Sequence, residues 1–193
     1  IWTVPSTGGE ATQITSNQAY DSEPLWTRDS QSIIFTSHRE GSKDIYLTSI
    51  SGGVPKRLTD LPGNETPLAV LEDGSILFSW YNGSVESESY GDFPGTAQLY
   101  RTDISGSAPS LVTSLPIMAM SVNSDGSVIY EDYKGYEDPL RKHHRSSVTR
   151  DIWSYTPAAG EKGISSQGSF TKLSDYRGED RNPVFAADGD RFY

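Results

Sequence analysis

Arg141-Lys142-His143-His144-Arg145, with Arg150 close behind, is a dense run of cations in a chain of 193 residues whose formal charge is −10. Guanidinium and ammonium groups on one loop could grip a peptide carboxylate or another anionic group, Arg in bidentate fashion and Lys as a point charge. The competing reading is that these side chains pair with the abundant Asp and Glu of neighbouring loops and fix the segment in place. A second mixed-charge stretch, Arg177-Gly178-Glu179-Asp180-Arg181-Asn182, lies before a strand-like run. Asp180 and Arg181 could contact a threaded peptide there, or pair within the loop.

Other chemistries are poorly supplied. His143 and His144 are adjacent, and in extended chain neighbouring side chains point to opposite sides, so both would rarely ligate one ion. The third histidine, His38, stands far away, and there is no cysteine. The sequence therefore predicts no metal site, no cofactor, no disulfide framework and no thiolate nucleophile. Serines are plentiful, but Gly-x-Ser-x-Gly does not occur, and Gly83-Ser84 and Gly106-Ser107 read as turns. Asp29, Asp73, Asp125 and Asp188 resemble a carboxylate set until their spacing is noticed. They recur at equivalent turn positions, where an Asp side chain caps local backbone. With 16 basic against 26 acidic residues, nucleic acid is an improbable partner, because phosphate contacts need a basic surface. No apolar run approaches the length of a membrane span.

The elements that must position these groups come from an internal repeat. An apolar-aromatic pair opens a strand at Ile1-Trp2, Ile45-Tyr46, Leu99-Tyr100 and Ile152-Trp153. Each is followed by an apolar residue with Thr or Ser: Ile14-Thr15, Leu58-Thr59, Val112-Thr113 and Leu173-Ser174. Each acidic turn precedes an apolar run, as in Asp29 before Ile33-Ile34-Phe35 and Asp125 before Val128-Ile129-Tyr130. The first two copies are about 44 residues apart, the span of a four-stranded propeller blade. The expected class is all-β: a β-propeller of four-stranded antiparallel blades. The strands of one blade are placed at Pro24 to Thr27, Ile33 to Ser37, Asp44 to Thr48 and Lys56 to Thr59. Pro24, Pro67 and Pro183 open the inner strand, where a missing N–H is tolerated. The aromatics Trp2, Tyr46, Tyr100 and Trp153 share one repeat position and are expected to pack between blades.

On this reading residues 1–193 form one propeller segment of about four blades' worth. Residues 1–15 supply the third and fourth strands of a blade, 16–59, 60–113 and 114–174 are complete repeats, and 175–193 supply first and second strands. The two half-blades either join into one shared blade or belong to a larger propeller, and the second is preferred. The longest insertions, Asn82 to Ala97 and Lys134 to Arg150, both lie between second and third strands. They are expected on the face that also carries 16–23, 60–66 and 175–182. A Gly- and Ser-rich tip, Thr156 to Ser169, is expected on the opposite face.

Pro24-Leu25-Trp26-Thr27-Arg28-Asp29-Ser30, Ile34-Phe35-Thr36-Ser37, Arg39, Asp44-Ile45-Tyr46, Gly52-Gly53 and Arg57-Leu58-Thr59 together resemble the WD-like propeller repeat of TolB and the tricorn protease. Weaker copies cover nearly the whole chain. The second repeat lacks the aromatic after its proline, reading Pro67-Leu68-Ala69, and the third reads Met118-Ala119-Met120-Ser121 with no proline. The stretch from Tyr130 through Pro139 and Arg141 to Asp151-Ile152-Trp153 is similar to the amino-terminal propeller of tricorn-like serine peptidases. That resemblance implies an exported, periplasmic parent with a further propeller, a PDZ domain and a separate catalytic domain. It places no catalytic residue in this chain.

The function expected is thus a non-catalytic propeller segment of a tricorn-like serine peptidase that guides or filters peptides or docks other domains. Its partners would be peptide substrate or those domains, met by Arg141, Lys142, His143, His144, Arg145, Arg150, Asp180 and Arg181. The alternative is a TolB-like protein-interaction propeller with no enzyme attached. A propeller that is itself catalytic would need a carboxylate pair on its inner strands, which offer Leu25, Trp26, Ala69 and Val184 instead.

Overall fold

The computed structural model describes residues 1–81, 97–134, 148–160, 164 and 168–193. Strands and turns account for its regular structure, and no helix occurs among the described residues. The chain divides into two compact units, Ile1–Trp80 with Arg101–Ser110, and Tyr81–Tyr100 with Leu111–Tyr193.

The first unit opens with β1 (Trp2–Thr3) and β2 (Thr12–Gln13), an antiparallel pair. The next blade contains β3 (Asp21–Trp26), β4 (Ser32–Glu40), β5 (Ser42–Ser49) and β6 (Lys56–Arg57), each antiparallel to the one before. It is followed in the chain by β7 (Asn64–Val70), β8 (Ile76–Tyr81), β9 (Gln98–Thr102) and β10 (Ser110–Thr113), in that strand order. The second unit carries a further blade of β11 (Ile117–Val122), β12 (Val128–Asp132), β13 (Ile152–Thr156) and β14 (Ser169–Lys172). A single bridge, Phe185 to Phe192, then ties a short hairpin.

The second strand of each blade is buried on both faces, as its continuous apolar run requires. In β4, Ile33, Ile34 and Phe35 are buried, and every residue of β12 from Val128 to Asp132 is buried. Ile14, Ile33, Phe35 and Tyr46 form one apolar cluster with Ile1 against it, so β1 and β2 pack on the face of the β3–β6 blade. The Tyr46 ring lies 6.0 Å from that of Phe35, and the Arg39 guanidinium sits 4.6 Å over it. Arg39 in turn ion-pairs with Asp21 at 3.2 Å.

The aromatic position does not behave uniformly. Tyr46 is 1 % exposed, but Trp2 is 61 % exposed. The expectation of packing between blades is therefore corrected for Trp2, whose strand pairs only with β2 among the described residues. Trp2 instead borders a shallow apolar hollow of about 190 Å³ with Val4, Pro24 and Trp26. Trp153 is half-buried, and its indole N–H donates to Asp132 Oδ2 at 3.1 Å.

The acidic turns cap backbone in every repeat. The Asp29, Asp73, Asp125 and Asp188 carboxylates accept from the N–H groups of Gln31, Ser75, Ser127 and Asp190 at 2.8–3.2 Å. These groups are committed to turn geometry and do not form a reactive cluster.

The recurring Thr or Ser has an equally defined job. Ile45 N–H donates to Thr59 Oγ1 at 2.9 Å, while Leu58 N–H donates to Ile45 O at 2.8 Å. Ile152 N–H donates to Ser174 Oγ at 2.9 Å, and Leu173 N–H to Ile152 O at 2.8 Å. Ile1 N and Thr15 Oγ1 are joined at 2.5 Å, with Ile14 N–H bonded to Ile1 O. This hydroxyl latch extends an outer strand as short as β6 beyond its two ladder residues. Thr59→Val keeps the side-chain volume and removes the latch, leaving a buried N–H without a partner. It should lower the unfolding free energy by about 1–3 kcal/mol, measured by urea denaturation, and Thr59→Ser should recover most of the loss. Tyr46→Ala should cost about 3–5 kcal/mol in the same assay, and Trp153→Ala, at a half-buried site, should cost less.

Candidate functional site

The start of each third strand meets the first strand that follows the blade. In the first unit Lys43, at the head of β5, pairs in parallel with Asn64 at the head of β7. In the second unit the Asp180 N–H donates to Arg150 O at 3.2 Å. Arg150 precedes Ile152 by the same two residues that separate Lys43 from Ile45, and Asp180 precedes Pro183 by the same three that separate Asn64 from Pro67. The two junctions are copies of one arrangement. Each carries a cation at the head of its third strand, Lys43 in one and Arg150 in the other.

Lys43 Nζ lies 2.7 Å from the Glu23 carboxylate and 3.1 Å from Thr66 Oγ1, joining the inner strand of its own blade to that of the next. Burial pushes the Glu23 carboxyl up, but Lys43, Thr36 and Ser22 together hold it below the ordinary glutamate value. Glu23 and Asn182 both precede the inner-strand proline with positive φ, 52° and 53°. That conformation is costly for a residue with a side chain and is disfavoured again before proline. In β3 it coincides with a bulge between Ser22 and Leu25.

At the second junction, Arg150 forms an ion pair with Glu131, a residue that is 1 % exposed in the middle of the blade. The guanidinium lies 5.4 Å from the centre of the Tyr133 ring. The second Glu131 oxygen accepts the Asn182 N–H at 2.9 Å. Glu131 thus joins β12, the end of the 134–150 insertion and the loop that enters the next inner strand. The head of the insertion is held as well. Lys134 Nζ donates to Thr149 O at 2.8 Å and ion-pairs with Asp151 and, at 3.2 Å, with Asp132. Lys172 reaches the same Asp151 at 2.9 Å. Burial drives the Asp151 carboxyl up, yet Lys134 and Lys172 outweigh it and hold the carboxyl below its ordinary value.

Of the residues singled out by sequence, Arg150 and Asp180 meet at this junction. The Arg150 guanidinium is occupied by Glu131 and Tyr133, which fits the pairing alternative left open above. Arg181 pairs with Glu179 within its own loop. Arg141, Lys142, His143, His144 and Arg145 lie outside the described residues, as does most of Asn82 to Ala97. Sequence reasoning named Glu131 but gave it no role. The available signal was an acid inside an apolar second strand, Val128-Ile129-Tyr130-Glu131, which must be paired if buried. Arg39 and Asp44 both pair within their own blade, with Asp21 and Arg57, respectively.

Removing the Arg150 charge should expose how much rests on this pair. Arg150→Met leaves Glu131 buried without a counter-charge and should destabilise the protein by about 3–5 kcal/mol. Glu131→Gln with Arg150→Met should cost less than the single change, as a double-mutant cycle in urea will show. At the other end, a depressed carboxyl contributes stability that is present above the ordinary value of 3.8 and is lost as pH falls through the folded value. The acid sensitivity of Lys134→Met below about pH 4 should therefore be weaker than that of the wild type.

The family described as tricorn protease N-terminal beta propeller domain matches residues 1–193, the whole chain. The sequence is 33 % identical over 100 residues to the uncharacterized peptidase YuxL of Bacillus subtilis, covering 51 % of this chain and 15 % of that one. It is 44 % identical over 54 residues to the Tol-Pal system protein TolB of Bordetella pertussis, covering 28 % and 12 %. In structure it resembles TolB from Acinetobacter baumannii with a TM-score of 0.70 at 18 % identity, over 99 % of this chain and 41 % of that one. It resembles the tricorn protease with the same TM-score at 19 % identity, over 97 % and 18 %. The chain thus spans a minor part of each of these relatives. Its four-stranded blades, its repeated latch and its match from end to end place this chain in the family of tricorn protease N-terminal β-propeller domains.

Proposed function

We propose that this propeller segment serves a tricorn-like serine peptidase as a non-catalytic guide and filter for peptides, or as a platform on which other domains dock. The observation that carries this reading is the pinned base of the 134–150 insertion. Lys134 is tied to Thr149 O and Asp151, and Arg150 to Glu131. Ion pairs therefore fix both ends of a segment whose sequence holds Arg141, Lys142, His143, His144 and Arg145. A loop on a rigid sheet is a suitable site for recognition, and this one concentrates positive charge in an acidic chain. The entry loop with Asp180 and Arg181 shares the junction through the Asp180–Arg150 hydrogen bond. The matching ligand is a peptide carboxylate or an acidic peptide.

The similarity to TolB supports a second reading, a protein-interaction propeller with no enzyme attached. The sequence of the parent reading frame beyond Tyr193 separates the two. A PDZ and serine peptidase region favours the first, and a short parent with a stable protein partner favours the second. Either reading fits an exported, periplasmic protein.

Peptide recognition has its own test. Replacing Arg141, Lys142 and Arg145 together with Ala should leave urea stability unchanged, because the base of the loop is held by other residues. It should weaken binding of an acidic fluorescent peptide by about tenfold or more, read by anisotropy at low salt. Unchanged affinity would reject the recognition role.

A further inference from the structure

We propose that Asp44 and Glu65 share a single proton, which closes the junction between β5 and β7 as a carboxyl–carboxylate hydrogen bond and makes that junction sensitive to pH. Both residues are 0 % exposed. Asp44 Oδ1 accepts from Ser42 at 2.9 Å, and Glu65 Oε2 accepts from Thr59 at 3.1 Å. Of the remaining oxygens, Glu65 Oε1 is buried without a hydrogen-bond donor, and Asp44 Oδ2 has only the Arg57 guanidinium beside it. The register that pairs Lys43 with Asn64 sets Asp44 and Glu65 at neighbouring positions of β5 and β7. Two acceptor-only groups cannot satisfy one another, whereas one proton on either carboxyl satisfies both.

The charges around the pair lead to the same result. From β6, Arg57 Nη2 forms an ion pair with Asp44 Oδ2 at 2.8 Å. The same guanidinium also serves Glu40 of β4 at 3.0 Å and Asp60 at 3.5 Å. Other nearby cations are engaged elsewhere: Arg39 of β4 with Asp21 of β3, Lys43 of β5 with Glu23 of β3, and Lys56 of β6 with the carbonyls of Ile104 and Ser105. Tyr46 of β5 is neutral, its phenol pushed up first by burial and then by Glu40 and Asp44. From Ile76 to Trp80, β8 carries no ionisable side chain. Two buried carboxylates thus face one shared guanidinium, and a proton is the economical second charge. Burial, then the Asp44 charge, pushes the Glu65 carboxyl up to about 8.

The sign follows from linkage. The unfolded glutamate releases its proton near 4.5 while the folded pair keeps it to about 8. The clasp's contribution is complete below the lower value and is lost as pH rises through the upper one.

Carbon-13 labelling of Glu and Asp side-chain carboxyls in the wild-type chain reads the proton directly. The Glu65 carboxyl should remain protonated at about pH 6 and titrate with a midpoint of about 8. Ionisation of both Asp44 and Glu65 at that pH overturns the proposal. Glu65→Gln, whose amide N–H can replace the shared proton, should keep its melting temperature across the range in which the wild type loses stability. An unaltered alkaline decline in Glu65→Gln would also overturn it.

Discussion

A blade of this protein depends on how its outer strand is held. The inner three strands bury apolar side chains and share full ladders, but β6 is only two residues long and its Lys56 side chain is exposed. Its own two side chains bury little, and anchoring begins at Leu58 and Thr59, which are 4 % and 2 % exposed. The latch holds it there, by offering the first apolar N–H of the third strand a hydroxyl from the far end of the fourth. Ile45 and Thr59, Ile152 and Ser174, and Ile1 and Thr15 repeat the bond. A hydroxyl serves here because it both donates and accepts. In the middle copy, Thr59 takes the Ile45 N–H and passes its own hydrogen to Glu65. The latch of one blade thereby becomes the first contact with the next.

The blade junctions follow from the same economy. Where two sheets meet edge to edge at their mouths, the backbone offers one bridge, and side chains must supply the rest. Lys43 and Arg150 occupy equivalent positions, yet their partners differ. Lys43 reaches outward to Glu23 and Thr66, both on inner strands, whereas Arg150 folds back on Glu131 from its own blade. At the second junction the link is passed on by the other Glu131 oxygen, through the Asn182 N–H. Similar geometry is thus built from different chemistry, and a buried acid appears at each junction: Asp44 with Glu65 in one, Glu131 in the other.

Much of this architecture was legible before the coordinates. Period, turn chemistry and the double-sided apolar second strand are local properties, so Asp29, Asp125 and Ile33-Ile34-Phe35 announced their places. The partners of the charged groups were not, because pairing is a property of strand register and blade contact. Arg39 sits five residues before Asp44 and ignores it in favour of Asp21, across the sheet. Glu65 follows an unremarkable loop, and its burial arises only when β7 is laid beside β5. Trp2 looks identical to Tyr46 in the repeat, yet its burial depends on which strands surround it. The family resemblance was carried by the turns and latches, whose chemistry is local and repeats with the blade.

The clasp at the base of the 134–150 insertion has a consequence for how such a domain can change. Closing a flexible loop costs entropy that grows only with the logarithm of its length, about 0.6 kcal/mol for each doubling. Lys134, Asp132 and Asp151 tie the loop's two ends to the blade before the intervening residues are counted. The blade acts as a socket, holding both ends of the insertion at set positions whatever sequence lies between them.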